Sequence, residues 1–447
     1  MTNGLVFTDF GAKSNSKKAN LINYLLFTYI LFCCFFGALL SLSLPNFITD
    51  TLIVINIFYS ILIIVKSYFL YGNFFNPTAI LLFVWGLLVP LTSFESIFME
   101  KMSANSLQIT LLAEIFMMIG LMLSNKGTVK SEKNRKCILK MNVTMFRVML
   151  IFVLLSITTI VLTMIKIRTI PLFSDDSSSF KTAELFPGSN IFINIGTIGV
   201  FYIFCDKEKR KKPISIFVIG FYFLVLILSA IRFTLFFVAL MCISNIILDK
   251  RNFKYFLIIG VSLLFFFYVA SFARRGNDLV EDYFINSGLY DGSITLFQST
   301  EIIRYFGMSQ RVTEQYMDTY LPGANRFGYT LYPFLKMFFI DKQLLPNVWY
   351  NGYNAMNIIG YLYGDFGFFW VIAIMIWAFV NNTIYLKYSF KKTLINRYLR
   401  SIAFVGLVLS FYCYIHDYTY WVTIYLLVVL ILNIRSDKYK KESNYGE

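Results

Sequence analysis

One histidine in 447 residues, His416, leaves a histidine-based zinc site without its ligands. Cysteine is scarce as well: six residues, at positions 33, 34, 137, 205, 242 and 413. They lie in or beside apolar runs or in a basic segment, and none falls in the long segment 276–356. That placement argues against a disulfide framework and against a cysteine metal centre. Charge is thin, with only 15% of residues ionised, and no internal repeat is visible.

What replaces charge is apolar surface. The chain is 57% hydrophobic and 19% aromatic, with a mean hydropathy of +0.65. Soluble domains run at about 45–50% apolar, and a water-soluble fold of this length has no way to hide the excess. Repeated apolar runs near 20 residues long define the class as an all-α polytopic membrane protein. The runs predict about twelve transmembrane helices, near 21–42, 48–66, 78–95, 106–124, 144–165, 190–205, 213–230, 232–248, 255–273, 357–381, 401–415 and 419–434. The first follows Lys17 and Lys18, exceeds a signal-peptide core and lacks a small-x-small cleavage site, so it reads as an uncleaved signal anchor.

A net charge of +15 raises the question of nucleic acid, but the basic residues cluster between apolar runs. Alternate connections collect them: Lys13, Lys17 and Lys18; Lys126 to Arg147; Lys207 to Lys212; Lys250, Arg251 and Lys254; Lys387 to Arg400; Arg435 to Lys441. The intervening connections hold few. Basic loops stay on the cytoplasmic side, so both termini are expected to be cytoplasmic in a multi-pass membrane protein, with no nucleic-acid partner.

Three sections follow: transmembrane helices one to nine in 1–275, a large extracytoplasmic loop with short helices in 276–356, and helices ten to twelve with a cytoplasmic tail in 357–447. A loop that long is functional or disordered. Its Tyr, Phe and Trp content and a helical stretch near 294–318 favour an ordered cap.

The expected topology gathers three arginines at the outer surface. Arg232 lies in SAIRFTLFF, at the turn between runs seven and eight; Arg274 and Arg275 end run nine in FARRGND. Charges at that depth must pair, snorkel or face water. Guanidinium suits phosphate, since its planar fork makes bidentate bonds and stays ionised. Arg274 has a competing reading as a snorkelling helix cap before Gly276, whereas Arg232 sits where the dipole disfavours a cation.

Asp365, in NIIGYLYGDFG at the start of run ten, reads either as a general base or as an arginine's partner; Gly360, Gly364 and Gly367 share a face suited to close helix packing. His416 and Asp417 end run eleven on the same side, where a lone histidine is either packed or catalytic. In the loop, Asp291 lies in GLYDGS among aromatics and glycine and reads as a candidate base near a sugar, and the tyrosines are able to stack on sugar rings or to form an interfacial belt. The Asp-x-Asp metal pair of nucleotide-sugar transferases does not occur there.

IPLFSDD (170–176), SAIRFTLFFVAL (229–240), FARRG (272–276) and NIIGYLYGDFG (357–367), in this order and topology, resemble the oligosaccharide repeat-unit polymerases, the O-antigen or capsular polysaccharide (Wzy-type) polymerase family. The resemblance covers most of residues 145–435. It implies a GT-C-like membrane glycosyltransferase, working without metal or other cofactor. Its substrate would be undecaprenyl-diphosphate-linked oligosaccharide within the lipid of the inner membrane, with a flippase and a chain-length regulator protein as partners. It further implies that Arg232 and Arg275, with Arg274, contact the donor diphosphate, and that Asn357, Tyr363 and Asp365 line the site. Where family members carry an arginine after the IPLF-like segment, this chain has Lys181, a point charge rather than a fork. A lipid-linked oligosaccharide flippase or an O-antigen ligase is the competing expectation.

Overall fold

The computed structural model describes residues 9–42, 45–71, 76–94, 101–125, 141–173, 185, 189–229, 231–249, 294–337, 356–389, 394–411 and 429. Among these residues all regular structure is helical. The helices are α1 (Asp9–Leu40), α2 (Asn46–Tyr71), α3 (Pro77–Leu91), α4 (Ala104–Asn125), α5 (Val143–Ile167), α6 (Asn190–Cys205) and α7 (Pro213–Leu228). They continue with α8 (Arg232–Asp249), α9 (Ile294–Thr319), α10 (Gly328–Met337), α11 (Ile358–Phe366), α12 (Trp370–Ser389) and α13 (Leu394–Leu409).

Among the described residues, five stretches are long and apolar enough to cross a membrane: Asn20–Leu40, Asn46–Phe69, Ala104–Asn125, Val143–Ile167 and Ile358–Leu386. Shorter apolar helices lie at Pro77–Leu91, Phe192–Cys205, Pro213–Leu228 and Phe233–Ser244. The expected runs at 255–273 and 419–434 fall outside the described residues, save Val429. Lipid as solvent explains the outer faces. Phe58, Phe69 and Phe217 are each about 70% exposed, and apolar surface on that scale is stable against hydrocarbon, not water.

The chain divides into two compact units whose segments interleave: Met1–Arg135, Ile302–Lys391 and Gly406–Thr419 form one, and the remaining segments the other. This division follows contacts, where the sequence-based sections followed the order of apolar runs.

In the first unit, α1, α2 and α4 pack with α3 and α12. Small residues set the distances: a Cβ on Gly120 of α4 would fall 2.4 Å from the Met375 carbonyl oxygen of α12. Polar bridges lock the register. Asn382 of α12 donates to Ser124 Oγ at 2.5 Å and to Asn125 Oδ1 at 3.1 Å, while Gln108 donates to the Gly37 carbonyl of α1 at 3.1 Å. Within α3, residues Leu82–Leu88 form a π-helical stretch. Asn76 caps α3, accepting from the Ala79 amide at 2.9 Å, with Pro77 in the first turn, where its missing N–H costs nothing.

In the second unit, α5 packs along α6, where Gly196 and Gly199 let α6 approach Ser156 and the Met149 carbonyl. Buried Asp206 accepts from the Glu208 and Lys209 amides at 2.9 and 3.1 Å and from the Met141 amide at 2.8 Å. It thereby ties the basic turn after α6 to the start of α5, an arrangement that also favours a carboxylate at a helix N-terminus. The amino groups of Lys209 and Lys212 lie 5.3 and 5.4 Å from the centre of the Phe146 ring. Ser244 of α8 donates to Ser401 of α13 at 2.5 Å.

Candidate functional site

Helix α9 belongs to the long segment between runs nine and ten, and its sequence near residue 310 looks like a solvated surface. It is not. Residues 307–313 are all buried, including Ser309, Gln310, Arg311 and Thr313. A helix buried on every face with four polar residues must satisfy each of them internally.

It does so against the ends of the membrane helices. Gln310 Nε2 donates to Thr110 Oγ1 of α4 at 2.7 Å, and its Oε1 accepts from Asn357 Nδ2 at the start of α11. The Asn357 main-chain amide donates to Thr313 Oγ1 at 3.1 Å, and the Asn357 side chain caps α11 by accepting from the Ile359 amide at 2.9 Å. Ser309 Oγ donates to the Phe411 carbonyl at 2.5 Å. Arg311, only 4% exposed, donates through Nη1 to the Gly307 carbonyl at 3.0 Å and through Nη2 to the Thr92 carbonyl at 3.1 Å. Hydrogen bonds to an ionised group are each worth about 1.5–3 kcal/mol, which offsets the cost of burying the guanidinium.

The glycines of α11 make this close approach possible. A Cβ on Gly364 would fall 2.7 Å from the Tyr316 hydroxyl, and one on Gly360 would lie 3.3 Å from Thr313 Cγ2. Of the glycine face expected from the sequence, Gly360 and Gly364 thus meet α9, whereas Gly367 lies past the end of α11 against Pro322 and Gly323. Burial pushes the Tyr316 phenol up from its ordinary pKa, keeping it a neutral group beside Asn325, which donates to its oxygen at 3.2 Å.

Asp365 is 3% exposed. Its Oδ1 accepts from the Tyr329 amide at 2.9 Å and its Oδ2 from the Thr330 amide at 2.6 Å, at the first turn of α10. Helix N-termini carry unsatisfied amides and a partial positive charge, and this carboxylate answers both. The main chain closes the same joint. The amides of Gly323, Asn325 and Phe327 donate to the carbonyls of Tyr363, Gly364 and Asp365, at 3.0, 2.9 and 3.4 Å. These are last-turn carbonyls of α11. Gly367 then takes φ 58 and ψ −136, a region open to glycine, and a 3-10 turn leads into α12.

Of the residues singled out from the sequence, the structure brings Asn357, Tyr363 and Asp365 together on α11. The Tyr363 hydroxyl lies 3.3 Å from the Tyr320 carbonyl, so it holds the α9–α10 connection. Arg232 opens α8 in the other unit. Lys181, Arg274, Arg275, Asp291 and His416 lie outside the described residues. Tyr329, one of the candidate sugar-stacking tyrosines, is buried against Tyr361 with ring centres 4.8 Å apart, which removes its face from solvent.

Arg311 and Gln310 were missed by sequence reasoning. Their signal was Ser309-Gln310-Arg311 between two buried apolar residues, Met308 and Val312, and hydropathy scores such a stretch as exposed.

These features define a helical membrane protein in which part of a long inter-helix segment is built into the ends of the membrane helices. Comparison with protein families, with characterised proteins and with solved structures finds no match to this chain.

Proposed function

We propose that this protein polymerises undecaprenyl-diphosphate-linked oligosaccharide repeat units by block glycosyl transfer at the outer face of the inner membrane, with both termini cytoplasmic. The observation that carries the reading is the seating of α9. A chemistry performed on a lipid-borne substrate needs polar groups held rigidly at the level of the headgroups. The Asn357–Gln310–Thr110 chain and the buried Arg311 fix such a segment to the ends of α3, α4 and α11. The distribution of basic residues supports the orientation.

In the reaction, an acceptor hydroxyl gives up its proton to a base and attacks the anomeric carbon of the donor sugar. The bond from that carbon to the diphosphate oxygen breaks, and its electron pair leaves with the diphosphate. Arg232 and Arg275 stabilise the charge that develops there, and Lys181 and Arg274 add to the field. Asp365 is assigned to positioning, because both its oxygens already accept main-chain amides. The base is then Asp291 or His416. A flippase and a chain-length regulator are the partners this reading implies.

The test is genetic and chemical. In cells lacking the gene, surface glycan reduced to single repeat units supports the proposal. Absence of any unit at the surface assigns the protein to transport or ligation instead. Arg232→Ala, expressed at the normal level, is expected to abolish chain growth, and a normal ladder from it removes Arg232 from the mechanism.

A further inference from the structure

Glu114 stands at the middle of α4, among apolar residues, and is 0% exposed. Its Oε2 accepts from the Tyr29 hydroxyl of α1 at 2.8 Å. Ser60 of α2 donates in turn to the Tyr29 oxygen at 3.1 Å. Cys33 Sγ, also on α1, lies 3.9 Å from Glu114 Oε2 and 3.9 Å from Asn56 Oδ1 of α2. The Asn56 side chain of α2 lies within reach of the carboxyl, while the other oxygen, Oε1, is buried with no donor in hydrogen-bond geometry. The π-helical stretch of α3 closes the remaining side, because a Cβ on Gly86 would fall 2.2 Å from Ser60 Oγ and 3.0 Å from the Tyr29 hydroxyl. Helices α1, α2 and α4 thus meet at this carboxyl, with α3 packed on its phenol partner, and π-helical stretches recur at functional sites.

Helix α9 meets α4 one turn away, at Thr110, and carries Arg311, whose guanidinium donates to the Gly307 and Thr92 carbonyls; the other groups around the carboxyl are neutral or titratable. Tyr29 and Cys33 are the titratable neighbours on α1; α2 offers Asn56 and Ser60, and α3 offers Gly86. Helix α12, which also packs on α4, holds no Asp, Glu, His or Cys. Its titratable residues, Tyr385, Lys387 and Tyr388, belong to its last turns, beyond the point where Asn382 meets Ser124 and Asn125. A bare carboxylate at bilayer depth costs several kcal/mol unless a cation or a full set of donors answers it. One phenol, one weak thiol donor and one side-chain amide, with no donor aligned on Oε1, are not such a set. A proton on the carboxyl removes the charge.

We propose that Glu114, with Tyr29, Cys33, Asn56 and Ser60, forms a proton-binding site in the membrane core of the first unit, occupied when α1, α2, α3 and α4 are packed as described. The inference does not depend on the glycan reading. A proton held in the packed protein and released on unfolding makes stability full at low pH and lost as pH rises above the ordinary carboxyl range.

The experiment uses the full-length protein in detergent micelles, wild type and Glu114→Gln, with unfolding followed from about pH 6 to about pH 9. The expected result is a folding equilibrium that falls by up to about tenfold per pH unit in wild type relative to the variant. A variant whose pH slope equals that of wild type overturns the proposal. Should the variant not fold, wild type is treated with dicyclohexylcarbodiimide. The carboxyl O–H adds across one C=N bond, the proton going to nitrogen and the oxygen to carbon, and the acyl group then migrates to nitrogen with no atom lost. An adduct on Glu114 that forms at low pH, fades as pH rises and is not made by a water-soluble carbodiimide supports the site. Failure to form that adduct overturns it.

Discussion

Asp365→Ala is the perturbation with the clearest structural consequence. The carboxylate accepts from the Tyr329 and Thr330 amides at 2.9 and 2.6 Å while 97% shielded from solvent, its exposure being 3%. Removing it leaves two amides at the start of α10 without their acceptor. An orphaned buried donor costs about 1–3 kcal/mol, so the pair sets a loss of roughly 2–6 kcal/mol, some of it recovered if water enters. Asp365→Asn keeps one acceptor oxygen, but turns an NH₂ group towards the second amide and loses the favourable charge at the helix start. Its cost is about 1–3 kcal/mol. Unfolding in mixed micelles, read by tryptophan fluorescence, measures both. Limited proteolysis within 320–337 reports whether the α9–α10 connection loosens first. Wild-type stability in Asp365→Ala, with unchanged proteolysis, would refute the assignment of this carboxylate as a helix anchor.

Gly364→Ala places a methyl 2.7 Å from the Tyr316 hydroxyl and is expected to destabilise by about 1–3 kcal/mol in the same assay, since the ring must shift. Arg311→Ala, which strands the Thr92 carbonyl, is expected to lower folded yield. Arg311→Lys, keeping charge but not the fork, is expected to recover only part of it. Asn382→Ala loses the bridges to Ser124 and Asn125 and should cost about 0.6–2 kcal/mol without affecting chain growth.

The helices of the membrane region were legible because runs of about 20 apolar residues have no other stable use in a chain of this composition. Where hydropathy was the guide, register slipped. The run expected at 401–415 belongs to a helix that starts at Leu394, because Asn396, Arg397 and Arg400 in its first turns score as loop. The break at Gly367, between α11 and α12, was hidden inside one continuous apolar run. The helix near 294–318 was visible from its apolar spacing, but its burial was not: Gln310 and Arg311 are satisfied by Thr110, Asn357 and Thr92, partners distant in sequence. Asp365 drew notice as a charge in a costly place, and the structure supplies the reason in the amides of α10. Glu114, equally costly, passed unnoticed within α4, because a single acid barely lowers the hydropathy of a 22-residue span.

Under the proposed function, the bond-forming step that joins lipid-linked glycan units belongs to this chain. That assignment is tested most directly by reconstituting the purified protein in liposomes with undecaprenyl-diphosphate-linked repeat units and resolving the products on a gel. The account predicts a ladder of products differing by one repeat unit, with free undecaprenyl diphosphate released in step, and no ladder from Arg232→Ala. Units that cross the bilayer or pass to another lipid while remaining single would contradict it.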